Sequence, residues 1–69
     1  MRRRAGGYWT VQYAYDGNGK MLALDDIERT LVVTYRQTGS YASRNEAFRD
    51  VVQHPEKFPP GEGRIVYTR

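Results

Sequence analysis

Apolar and polar positions along this chain follow two periods. From Tyr8 to Tyr15 (YWTVQYAY) they alternate by two, with Trp9, Val11, Tyr13 and Tyr15 on one face and Tyr8, Thr10, Gln12 and Ala14 on the other. Alternation in a run rich in aromatic and β-forming residues predicts a strand with one buried face. From Ser43 to His54 (SRNEAFRDVVQH) the period is that of a helix. Ala47, Phe48, Val51 and Val52 share a stripe, and Arg44, Asn45, Arg49, Asp50 and Gln53 fill the other side. Ser43 followed by Glu46 forms an S-x-x-E capping box at its start. Pro55 disfavours helical geometry at His54 and sets its end. Twelve residues are marginal as a free helix in water, so Phe48, Val51 and Val52 require an apolar surface to lie on.

The remaining segments supply that surface. Asp16-Gly17-Asn18-Gly19 is a turn whose residues tolerate positive φ, and it predicts a return strand over Lys20–Leu24 (KMLAL). Asp25–Arg29 is a charged break anchored by Ile27. Thr30–Arg36 (TLVVTYR) reads as a third strand, with Leu31, Val33 and Tyr35 on one face and Thr30, Val32, Thr34 and Arg36 on the other. Gln37–Ala42, with Gly39 as its flexible point, connects to the helix. After the helix, Pro55–Gly63 is a loop in which Phe58 plugs the end of the core, and Arg64–Thr68 (RIVYT) is the closing strand. The predicted fold class is α+β: a small antiparallel sheet of three to four strands with one covering helix, in the order β-β-β-α-β. One helix covers one sheet face. Trp9, Val11, Tyr13, Leu31, Val33 and Ile65 are expected beneath it, while Tyr8, Thr10, Gln12, Arg36 and Arg64 meet solvent on the open face.

Length and charge narrow this picture. Sixty-nine residues make one domain, residues 8–69, preceded by a basic arm at 1–7 that has nothing to bury and is expected to be disordered. A core of this size is marginal alone, and the chain has no cysteine to staple it, so homodimerisation is an expected route to further stability. The absence of cysteine fits a cytoplasmic protein, and no apolar run reaches the length that spans a bilayer, so no membrane partner is expected. The net charge of +3 resides in Arg2, Arg3 and Arg4. Without them the chain holds eight basic and eight acidic residues, so the body is neutral and the basic character belongs to the arm.

Catalytic signatures are nearly absent. The one histidine, His54, sits before a proline at a helix end, where the helix dipole favours a cation. There is no cysteine nucleophile, Ser43 is explained as a cap, and neither G-N-G nor G-E-G continues into a phosphate-binding loop. Asp25, Asp26 and Glu28 lack the alternating spacing of a calcium loop and read as a solvated turn with Asp capping a short helical turn. The sequence therefore predicts no enzyme, no metal and no cofactor.

What stands out is aromatic content: six tyrosines and Trp9. Tyrosines of this kind serve as core-edge residues with wet hydroxyls, as anchors in protein interfaces, or as stacking platforms for unpaired bases. With a neutral body and no catalytic groups, the favoured reading is a non-catalytic protein-binding module, a small regulator, inhibitor or adaptor that docks on a larger protein. Tyr8, Arg36, Tyr41, Phe58 and Arg64 are its expected contacts. It fails if Arg36 and Arg64 lie far apart and no patch of exposed aromatics exists. The alternative is a nucleic-acid-binding protein with Arg2, Arg3, Arg4, Lys20, Arg36, Arg64 and Arg69 on phosphates, which requires these side chains to share one face.

Overall fold

The computed structural model describes residues 6–69, so the expected basic arm at Arg2–Arg4 lies outside the described residues. Three antiparallel strands, β1 (Tyr8–Tyr15), β2 (Thr34–Tyr41) and β3 (Arg64–Thr68), form a sheet in the order β2-β1-β3, and one α-helix, α1 (Arg44–Gln53), packs against all three. Short 3-10 helices at Leu24–Arg29 and Pro55–Lys57 complete the chain. The α+β class is as predicted: a small antiparallel sheet under one main helix.

β1 occupies the centre, as the longest aromatic and β-branched run should. Both its edges are taken, one by β2 and the other by β3. This explains the first departure from expectation. Lys20–Leu24 does not form a strand, because β3 holds that edge of β1 from Tyr8 to Gln12 and leaves only its last residues for pairing. It contributes a single bridge, Tyr15 to Met21, and a bond from the Leu22 N–H to the Ala14 carbonyl at 2.8 Å. The preceding turn is tied down by Asp16, whose Oδ1 accepts from the Asn18 and Lys20 amides at 2.9 Å each.

The second departure is the position of β2. The strand expected over Thr30–Arg36 runs instead from Thr34 to Tyr41, and Leu31, Val32 and Val33 precede it. Leu31 is fully exposed. Residues paired across antiparallel strands share a face. Arg36 lies opposite Tyr13, and Thr34 opposite Tyr15, so both stand on the helix side of the sheet; Tyr35, opposite Ala14, stands on the open side. The expected faces of this strand are therefore exchanged.

A bulge accompanies the new register. Between the Trp9–Tyr41 and Val11–Thr38 pairs, β2 carries one residue more than β1. Gly39 accommodates it with φ of +84°, a conformation that only glycine adopts without strain, and a Cβ at this position would stand 2.6 Å from the Tyr41 ring. Thr10, opposite the bulge, has no exposed surface. Its hydroxyl satisfies the displaced backbone, donating to the Gly39 carbonyl at 2.7 Å and approaching the Thr38 carbonyl at 3.2 Å.

The helix forms as its sequence dictates. The Ser43 hydroxyl accepts from the Glu46 amide at 3.2 Å, and at the other end the His54 N–H bonds the Asp50 carbonyl before Pro55 opens the second 3-10 helix. The buried apolar core is small: Val11, Tyr13, Ala14 and Ala47. Ala47 is wholly enclosed and lets the helix backbone approach the sheet. Phe48 and Val52, one turn apart, remain 59% and 60% exposed. Among the described residues, no helix is long and apolar enough to cross a membrane.

Candidate functional site

An apolar cleft lies beside α1. Val11 and Tyr13 of β1 and Ile65 of β3 form its floor, Phe48 and Val51 of α1 form one wall, and Leu24 with Gly61, Glu62 and Gly63 forms the other. The cleft holds about 360 Å³. Its second wall is assembled from two distant loops, joined where the Leu24 amide donates to Glu62 Oε1 at 2.7 Å. Gly63 carries no side chain against Tyr13, whose ring would stand 2.7 Å from a Cβ there. Burial pushes the Tyr13 hydroxyl above its ordinary pKa, and the neighbouring Tyr15 adds to this.

Two further depressions continue the same surface. One, also about 360 Å³, shares Tyr13, Val51 and Gly61 with the cleft and adds Pro55, Phe58, Pro59 and Pro60. The other, about 300 Å³, shares Phe48 and adds Asn45, Arg49, Val52 and Gln53. Together they make a continuous apolar tract from Val52, over Phe48 and the cleft, to Phe58.

A polar cluster fixes the far side of the helix. Tyr41 donates to Asp50 Oδ2 at 2.6 Å, and Lys57 Nζ reaches Asp50 Oδ2 at 2.9 Å and Oδ1 at 3.1 Å. β2, α1 and the second 3-10 helix are thus clamped at one carboxylate. The Tyr41 and Lys57 hydrogen bonds hold the Asp50 carboxyl below the ordinary carboxylate range. Desolvation, then the bond to Asp50, pushes the Tyr41 hydroxyl up to about 12.

The expected contact residues do not assemble into one surface. Tyr8 and Arg64 lie on the open face of the sheet. There Tyr8 donates to Gln37, Gln37 to Thr68, and Arg64 to Gln12. Arg36 lies on the opposite face, its guanidinium carbon 5.7 Å from the centre of the Tyr15 ring, beside a polar hollow lined by Asp16, Gly17, Gly19 and Thr34. The expectation that Arg36 and Arg64 adjoin is corrected by the shifted register of β2. Tyr41 is committed to Asp50, and Phe58 is half-buried in the apolar tract. Lys20 and Arg69 are exposed, the first at the turn after β1 and the second after β3. Asp25 and Asp26 open the first 3-10 helix without capping it; Asp26 instead pairs with Arg29 at 2.8 Å. His54 sits 3.5 Å from Glu56.

Leu24, Phe48, Val52 and Ile65 were not among the expected contacts. A signal for two of them existed in the helix itself. Ala47 with Val51, and Phe48 with Val52, are two i,i+4 pairs offset by about 100° on a helix of 3.6 residues per turn. A stripe that wide exceeds what one narrow sheet covers. The comparisons with protein families, curated proteins and solved structures return no match to this chain.

Proposed function

We propose that the protein is a non-catalytic protein-binding module that docks another polypeptide on the apolar tract beside α1. One observation carries this reading. Phe48 and Val52 project from a helix whose other apolar residues, Ala47 and Val51, already face the sheet, and Phe48 stands at the mouth of a cleft floored by Val11, Tyr13 and Ile65. An aromatic ridge next to a concave apolar floor is the arrangement from which interface anchors are made. The basic residues outside the arm favour this reading over nucleic-acid binding, since Arg36 and Arg64 occupy opposite sheet faces.

The test places a photoreactive benzoylphenylalanine at position 48 or, as control, at position 37 on the open face. Adducts formed in extracts of the source cells are identified by mass, and the captured chain is purified and titrated against the wild-type protein and Phe48→Asp. The expected result is a defined partner captured from position 48 only, with affinity reduced at least about tenfold by Phe48→Asp, the loss of one buried aromatic anchor. A partner captured from position 37, whose affinity Phe48→Asp leaves unchanged, overturns the assignment.

A further inference from the structure

The two banks of the apolar cleft differ in charge. On the helix bank, Arg49 lies beside Phe48 and Val52, and Arg44 precedes Phe48 by one turn. Neither forms an ion pair among the described residues. The helix's own acids, Glu46 and Asp50, line a hollow on the other flank with Tyr41 and His54, where Lys57 pairs with Asp50; Arg49 stands on the crest between the two flanks and lines both. On the loop bank stands Glu62, with Asp25 following Leu24. The cleft thus has arginines along the crest of its helix bank and carboxylates on its loop bank.

We infer that the occupant of this face is a second copy of the same chain, related by a two-fold axis running along the cleft; this rests on the protein-binding reading above. Such an axis lays each helix bank, with its Phe48 and arginines, over the partner copy's loop bank, with its Leu24 and carboxylates, and makes each contact twice. The other symmetric arrangement, with the axis across the cleft, sets Arg49 against Arg49 and Glu62 against Glu62 and is disfavoured by like-charge repulsion. Outside Arg2–Arg4 the chain is formally neutral, and among the described residues a core of four buried apolar side chains is what added burial between copies would reinforce.

The scale of the contact follows from area. A stable interface takes about 800 Å² from each partner, roughly 15% of the 5209 Å² that this chain exposes. Phe48, Val52 and Leu24 alone fall well short of that, so both charged banks must join the interface. The resulting dimer belongs at the weak end of specific association, with Kd on the order of tens of micromolar.

Sedimentation equilibrium of the purified chain from about 5 to 500 µM spans that expected Kd. The inferred dimer gives a mass that rises from monomer to dimer across the range. Phe48→Asp, at a position already exposed, stays monomeric while its circular dichroism matches wild type. Arg49→Glu raises Kd about tenfold, since two symmetric rim pairs become repulsive. Glu62→Lys does the same, and the two substitutions combined restore association toward wild type. Restoration by the double charge reversal is a readout that a merely misfolded variant cannot produce. A monomer at every concentration overturns the inference. So does a dimer indifferent to Phe48→Asp and to the charge reversals, which would place self-association elsewhere. If the chain is monomeric and yet binds another protein through position 48, the inference fails while the docking reading stands; if position 48 affects neither, both fail.

Discussion

Replacing Thr10 with valine tests the most buried polar contact in the sheet. The two side chains have nearly the same shape, so the substitution deletes one hydroxyl and leaves packing intact. Thr10 is wholly enclosed, and its hydroxyl bonds the Gly39 carbonyl at 2.7 Å beside the bulge. Leaving a buried acceptor without its donor costs about 1–3 kcal/mol, and the extra buried methyl returns part of this, so a net loss of about 1–2 kcal/mol is expected. For a domain of this size that lowers Tm by roughly 4–16 °C. Thr10→Ser is the control. It keeps the hydroxyl and loses a methyl, about 0.8 kcal/mol. Urea unfolding can be followed by the fluorescence of Trp9, the chain's one tryptophan, which packs edge-on to Tyr67 at 5.4 Å. The midpoint should fall further for valine than for serine with the slope unchanged. A valine variant as stable as wild type, or more stable than the serine variant, refutes the assignment of the hydroxyl as the cap of the bulge.

Four further outcomes follow from the same structure. Gly39→Ala meets both a positive φ and the Tyr41 ring, and should cost about 1–3 kcal/mol in the same unfolding assay, whereas Leu31→Ser, at a fully exposed position, should stay within about 0.5 kcal/mol of wild type. Because the folded Asp50 carboxyl is held low, its contribution to stability is present above the ordinary carboxylate pKa of about 3.9 and is lost as pH falls through the depressed value; Asp50→Asn should flatten that acid-side decline in Tm. The Tyr41 hydroxyl has the opposite sign: its contribution is present below about pH 10 and is lost as pH rises toward 12, so ultraviolet titration at alkaline pH should show a tyrosinate forming near 12 that is absent in Tyr41→Phe.

Much of the fold was legible because local and global preferences agreed. β1 and β3 lie where alternation placed them, and α1 starts at its capping serine and ends before Pro55. β2 was not legible. Leu31, Val32 and Val33 have higher strand propensity than Gln37, Thr38, Gly39 and Ser40, yet pairing along the full length of β1 selects the second group, and Gly39 makes it possible by hosting the bulge. That shift moved Arg36 across the sheet and dissolved the expected contact surface. The apolar tract beside α1 was hidden for a related reason. The apolar stripe of α1 predicts an inward face for all its members, but Ala47 is the one wholly enclosed, and Phe48 and Val52 stand toward solvent. Glu62 and Leu24 are separated by 38 residues, and only the folded loops bring them together as one wall.

The central place of β1 also orders events in time. Tyr8 pairs with Thr68, and Trp9 with Tyr67, across nearly the whole sequence. A chain elongating from its N-terminus can zip β1 to β2 early, but one side of β1 stays open until residues 64–68 arrive. Such non-local closure slows folding relative to a helical bundle of equal length. A fragment ending at Gly63 would carry the strand richest in aromatics with a bare edge, the geometry that recruits stray strands into aggregates. β3 therefore also serves as the cover of an edge that would otherwise stay bare along Tyr8–Gln12.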